Sequence, residues 1–242
     1  MENITDYLLF IKEPWGRMFY DLVFWQLNSA NTSKLEILDF GSGFGVTANQ
    51  LAKNHNVVAV EPNKEMIANR YQEFTYQQLN GSLEVLKNFT DNSFDFVICH
   101  NVLEYVQNRE EMVSELLRIT KPQGKLSIIK HNQAGRIFQL AVFGNNPQKA
   151  LAMLNEGLKN QNTYFGSQDV YSNEELSKWM GENTIIDQIL GIRSFWALGQ
   201  NNEIKYTDEW YDDMLALEKQ VANIPEYCDV AFFQHLLIKK LK

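Results

Sequence analysis

The sequence predicts an α/β fold built on a doubly wound, mostly parallel sheet of seven strands. Three observations carry that expectation. Short apolar runs alternate with amphipathic segments through the first 131 residues. A glycine-rich loop directly follows the first of those runs. Acidic Glu61 closes the second run, 20 residues after Gly41.

The elements follow in order. Arg17 to Leu27 is dense in aromatic and aliphatic residues and reads as a helix, with Phe19, Tyr20, Phe24 and Trp25 as packing groups rather than a base-stacking platform. The polar stretch 28–33 ends an N-terminal helical segment, 1–33. Leu35-Glu36-Ile37-Leu38-Asp39-Phe40 has the continuous apolar character of a buried parallel strand. Val46 to Asn54 is a helix, and β-branched Val57 to Val60 a second central strand. Lys64 to Glu73 is helical after Pro62, Tyr76 to Leu79 a weak strand, and Leu83 to Lys87 a short helical turn. Phe94 to Cys99 is the fourth strand, and the helix Arg109 to Ile119 stops at the turn Lys121-Pro122-Gln123-Gly124. Lys125 to Lys130 is the fifth strand, which completes a core over 34–131.

Beyond it the rhythm changes. Residues 132–170 contain helical stretches without a convincing strand, then a polar aromatic loop at Tyr164-Phe165-Gly166, and are expected to lie as a helical insertion over the strand ends. The C-terminal segment, 171–242, opens with Ser172 as N-cap and Glu175 at the capping-box position. It continues with strands at Thr184 to Ser194 and Ala231 to Lys239, and a helix at Asp208 to Val221 between them. All four segments are read as one domain.

Composition narrows the function. Of 242 residues, 45% are hydrophobic and 21% charged, which excludes disordered and fibrous classes. A formal charge of −8 gives no global attraction to nucleic acid. Cys99 and Cys228 offer neither a disulfide framework nor metal-ligand spacing, so no metal is expected. No apolar run approaches the roughly 18 residues of a membrane span, and Met1-Glu2-Asn3-Ile4-Thr5-Asp6 lacks the character of a secretory signal; a cytoplasmic address is expected.

The segment Asp39-Phe40-Gly41-Ser42-Gly43-Phe44-Gly45 lets backbone approach a ligand closely, with a helix N-terminus behind it. Glu61, ending the second strand, is placed to accept both ribose hydroxyls of a nucleoside. Together they indicate an adenosine-containing ligand. A dinucleotide fingerprint would need Gly or Ala at position 46, where Val46 stands, so a nicotinamide dehydrogenase is disfavoured.

The spacing G-x-G-x-G resembles motif I of class I S-adenosylmethionine-dependent methyltransferases, and the resemblance continues in register. Gly81-Ser82-Leu83 is similar to the segment bordering the adenine, Asp91 to Val97 to the run into strand four, His100 to Val106 to the post-strand segment, and Leu117 to Leu126 to the lead into strand five. The resemblance implies S-adenosyl-L-methionine as cofactor, bound by Asp39, Gly41, Ser42, Gly43, Gly45, Glu61, Ser82, Leu83 and His100, with Arg17 as a further candidate. The segment after strand four is His-Asn-Val-Leu, unlike exocyclic-amine methylases, and no Pro-Cys nucleophile is present.

A narrower series comprises His100 to Val106, Asn132-Gln-Ala-Gly135, Phe143-Gly144-Asn145, Gly191-Ile192-Arg193-Ser194-Phe195, Tyr211 to Glu218 and Pro225-Glu226-Tyr227. In that order it resembles the bacterial tRNA methyltransferases that esterify the carboxylate of 5-carboxymethoxyuridine at the wobble position. That relation implies a carboxylate acceptor needing no catalytic base, with Arg193, Asn132 and Tyr227 as acceptor-binding candidates. The insertion carries only Lys149 and Lys159 among Asn, Gln and Glu156, which argues for a smaller acceptor or a different RNA contact surface. A small-molecule carboxylate or hydroxyl therefore stands as the alternative acceptor, and a non-catalytic S-adenosylmethionine-binding regulatory module as the alternative class.

Overall fold

The structure is a computed structural model and describes residues 4–27, 33–156, 161–163 and 166–242. Helices α1 (Ile4–Lys12) and α2 (Pro14–Leu27) precede the alternation β1 (Glu36–Phe40), α3 (Val46–Leu51), β2 (Asn56–Glu61), α4 (Lys64–Ala68), β3 (Gln77–Asn80), α5 (Leu83–Leu86), β4 (Phe94–His100), α6 (Arg109–Ile119) and β5 (Thr120–His131). Then come α7 (Gln133–Phe138), a π-helical turn (Gln139–Phe143), α8 (Pro147–Glu156), β6 (Gln161–Thr163), β7 (Gly166–Gln168), α9 (Asn173–Met180), β8 (Thr184–Ile192), α10 (Asp208–Val221), α11 (Pro225–Cys228) and β9 (Phe233–Lys240).

Seven strands form one sheet in the order β3-β2-β1-β4-β5-β9-β8, as the alternation predicts. Every neighbouring pair from β3 to β5 is parallel. The reversal of order falls at β1 and β4, the switch point at which such sheets bind ligands beyond their C-terminal ends.

By contacts the described residues fall into two compact units. One is drawn from Ala30–Ile129, Tyr171–Gln188 and Leu236–Lys242; the other from Met1–Ser29, Lys130–Val170 and Ile189–His235. The core of the first packs one face of its sheet against α6: Leu38, Phe40, Val97 and Ile128 from strands, and Met112, Val113 and Leu116 from the helix, all at most 2% exposed. Burial of that kind contributes about 1.5–3 kcal/mol for each large aliphatic side chain.

Several boundaries differ from the sequence reading. The helix expected over Lys64 to Glu73 stops at Ala68, because Asn69 turns its Nδ2 back onto the Glu65 carbonyl (2.9 Å) and Arg70 bonds the Ile67 carbonyl (2.9 Å). The helix begun at Val46 ends at Leu51 rather than Asn54, and the one expected from Arg17 starts at Pro14, where proline suits a first helical turn. The turn at 121–124 does not end the pairing. Phe94 pairs with Thr120 and Phe96 with Lys125, so the turn residues bulge out of β5, with Gln123 left-handed at φ 64°. The insertion is not purely helical either: β6 and β7 form an antiparallel hairpin, whose Gln, Asn, Thr, Gly and Ser residues carry no apolar alternation to announce a strand. Tyr164, Phe165 and Lys159 lie outside the described residues, as does most of the 28–33 break.

Candidate functional site

The glycine loop leaves β1 through a chain of left-handed residues, with Gly41, Gly43 and Gly45 at φ 73°, 56° and 68°. At Gly41 a Cβ would also strike the Val102 side chain, so this position needs glycine on two counts. The Gly41 and Ser42 amides both donate to the Val60 carbonyl (2.8 and 3.1 Å), which ties the loop to β2.

Glu61, 6% exposed, organises the loop as well as facing it. Its Oε2 accepts from the Gly43 amide (2.9 Å) and its Oε1 from the Asn63 amide (2.8 Å). Burial pushes this carboxyl above its ordinary range, and the two amide donors partly oppose that. Asp39 is 3% exposed, and its Oδ2 has no hydrogen-bond partner among the described residues. Its carboxyl is pushed up to about 7, chiefly by burial, opposed by the Ala48 amide and reinforced by repulsion from Glu61.

Ser42 Oγ and Asn101 Oδ1 are likewise buried and without a partner among the described residues. Phe40 pairs with Cys99 in register, so Asn101 follows the same end of the sheet as the glycine loop. Asn101 was not singled out in the sequence; its signal is an asparagine directly after a strand, here left-handed at φ 54°. His100 sets its Nε2 2.7 Å from Ser127 Oγ on β5. Ser82 gives its amide to Glu84 Oε1 (2.7 Å) at the start of α5, and half-buried Leu83 is the first residue of that helix. Orphaned acceptors beside a glycine cradle and two carboxylates fit an adenosyl ligand that carries hydroxyl and ammonium donors.

The other unit holds the second constellation. Arg193 follows β8 at φ 64°, 7% exposed, and its guanidinium lies over the rings of Phe232 (5.0 Å), Trp15 (5.5 Å) and Phe233 (5.8 Å). Among the described residues its buried Nε has no hydrogen-bond partner and it forms no salt bridge. Burial lowers this guanidinium to about 10, against the opposing charge of Glu218 and with the repulsion of Arg136.

Glu218 explains how the arginine is held. It is 1% exposed and accepts from three consecutive amides, Ser194, Phe195 and Trp196, each at 2.8 Å. Its carboxylate thus fixes the backbone that follows Arg193, and the sequence reading had assigned it no role. Asn132 donates to the Asp229 and Ala231 carbonyls (2.8 and 2.9 Å), a backbone clamp beside Phe232. Tyr227 is 37% exposed, with its ring 5.4 Å from that of Phe195. Asn132, Tyr227 and Arg193 are therefore brought to one region of this unit. Arg17 lies 3.9 Å over the Tyr211 ring and pairs with Asp21 (3.8 Å) and Asp208 (3.6 Å), while Tyr211 donates to Asp21 (2.7 Å).

Among the described residues no group of three or more His, Cys, Asp or Glu is placed to hold a metal, and no helix is long and apolar enough to cross a membrane.

Residues 38–128 match the family described as a methyltransferase domain. Over 216 residues the chain is 26% identical to the ubiquinone biosynthesis O-methyltransferase of Rickettsia prowazekii, covering 84% of this chain and 78% of that protein. Its counterpart in Rickettsia felis is 33% identical over 119 residues, 46% of this chain and 47% of that one. In fold the chain is similar to an S-adenosylmethionine-dependent methyltransferase from Archaeoglobus fulgidus, with a TM-score of 0.61, 16% identity and coverage of 97% and 99%. A second such structure, from Mesorhizobium loti, gives 0.55 at 14% identity over 87% and 93%.

Proposed function

We propose that this chain, an S-adenosylmethionine-dependent methyltransferase, esterifies an acceptor carboxylate held by Arg193. The observation that carries the reading is a buried guanidinium whose Nε has no hydrogen-bond partner and which forms no salt bridge among the described residues, the nearby Glu218 carboxylate being engaged by three backbone amides. Burying a cation without a directly paired carboxylate costs several kcal/mol, so such a group calls for an anionic ligand. A carboxylate meets the planar guanidinium with two short, charge-assisted bonds.

When bound, S-adenosylmethionine supplies a methyl group on a sulfonium, an electrophile whose leaving group is already activated. Glu61 would accept from the ribose and keep the glycine loop in place through Gly43 and Asn63. Asp39, Ser42 and Asn101 offer the remaining polar contacts. A carboxylate acceptor arrives ionised, so no side chain has to remove a proton. What the protein supplies is orientation and exclusion of water, and Arg193 in its aromatic surroundings provides both for the acceptor.

The acceptor we favour is the carboxylate of 5-carboxymethoxyuridine at a tRNA wobble position, on the motif series that ends in Gly191 to Phe195, Tyr211 to Glu218 and Pro225-Glu226-Tyr227. The second reading is a small-molecule hydroxyl, favoured by the O-methyltransferase names of the Rickettsia relatives. The test is transfer of labelled methyl from S-adenosylmethionine to tRNA carrying that nucleoside, followed by nucleoside mass spectrometry. A methyl ester on the modified uridine, with Arg193→Lys at least tenfold slower in kcat/KM, is expected. Transfer to a small-molecule hydroxyl but none to tRNA would replace the first reading by the second; transfer to no acceptor, with cofactor still bound, would favour a regulatory module.

A further inference from the structure

Trp15 was not a candidate in the sequence, yet its indole Nε1 is buried and has no hydrogen-bond partner among the described residues. Buried donors are nearly always satisfied, because each unmet one costs about 1–3 kcal/mol. Here two unmet donors, Trp15 Nε1 and Arg193 Nε, belong to side chains in direct contact, with the guanidinium carbon 5.5 Å from the indole ring.

The indole is not placed there by chance of rotamer. It stands in the first turn of α2, directly after Pro14, and Phe10 of α1 packs on it with ring centroids 4.1 Å apart. The corner between the two helices closes tightly at Gly16, where a Cβ would fall on the Ile11 carbonyl. Phe10 and Arg193 therefore both bear on one indole whose backbone anchor has little freedom.

We propose that the Trp15 indole N–H is a second donor of the acceptor seat, sharing with Arg193 the two oxygens of one carboxylate. The proposal rests on the carboxylate reading above and adds a residue that sets specificity. Esterification removes the charge and leaves one oxygen carrying a methyl group, so the seat built from two donors grips the substrate acid and releases the ester. Trp15 is then a positioning and discriminating residue: a phenylalanine keeps the ring over the guanidinium and loses only the donor.

The experiment uses full-length protein with 15N-labelled indoles, saturated with S-adenosylhomocysteine, and Trp15→Phe to assign the resonance. Titration with the nucleoside 5-carboxymethoxyuridine should move the Trp15 indole proton downfield to saturation, and the methyl ester of the nucleoside should not. In turnover, Trp15→Phe should raise KM for tRNA bearing that nucleoside about tenfold, the worth of one hydrogen bond, with S-adenosylhomocysteine affinity unchanged. An indole proton that stays put under the acid overturns the proposal. Arg193→Lys impaired while Trp15→Phe keeps its KM overturns the role of Trp15 alone; Arg193→Lys with unaltered KM and kcat overturns the carboxylate reading, and this proposal with it.

Discussion

At the scale of single residues, the cofactor site is governed by two buried carboxyls that repel each other. Glu61 accepts from the Gly43 and Asn63 amides and, in the proposed function, from the ribose as well, so Glu61→Ala should lose both the ribose contact and the loop's anchorage. Calorimetry with S-adenosylhomocysteine should show no binding in that variant, and retained micromolar affinity would refute the assignment. Asp39 gives the pH dependence. With its carboxyl raised to about 7, the folded protein holds a proton there that an exposed aspartate releases near 4. A raised carboxyl contributes stability at acid pH that fades as pH climbs through about 7. Ligand binding runs the other way, since a cation favours the ionised acid. Affinity for S-adenosylmethionine, which carries the extra positive charge, should rise between pH 5.5 and 7.5 and then flatten, more steeply than for S-adenosylhomocysteine. Asp39→Asn should erase that difference in slope, measured by titration in both pH regimes.

At the scale of elements, the sequence was most legible where chemistry is local. The Ser172 N-cap forms a complete capping box, with Ser172 Oγ accepting from the Glu175 amide (3.1 Å) and Glu175 Oε2 accepting from the Ser172 amide (2.7 Å). Ser172→Ala should cost about 1 kcal/mol, and the melting temperature should fall by about 2–4 °C in a thermal scan. The parallel strands β1, β2 and β4 were equally readable, because strands covered on both faces must be continuously apolar. What escaped was decided by partners distant in sequence or by side chains competing with backbone. Asn69 cut α4 short through its own amide, and β6–β7 paired without apolar periodicity. In the site, the loop acids and Arg193 were visible as motif positions. Trp15 was not, and Glu218 closed a motif segment without a visible role, since a tryptophan in an aromatic helix and a glutamate in an acidic one look ordinary until Arg193 is found near them.

At the scale of the whole molecule, the charge balance turns the two candidate acceptors into different salt responses. The chain carries 22 Lys and Arg against 30 Asp and Glu, a net −8, so a polyanion is repelled on average and must be engaged through local cations. Each phosphate neutralised by such a cation releases counterions, which gives log affinity a slope of about −0.7 to −0.9 per contact against log salt. A single carboxylate seated on a buried arginine is screened far less, because its partner lies out of reach of bulk ions. With tRNA as acceptor, KM should therefore climb steeply between 50 and 200 mM KCl while kcat holds, and the slope should count the phosphates bound. With the nucleoside 5-carboxymethoxyuridine, KM should change less than twofold over the same range. A flat profile for tRNA would mean that the negative chain recognises little beyond the modified base, and would shift the choice of acceptor toward a small carboxylic acid.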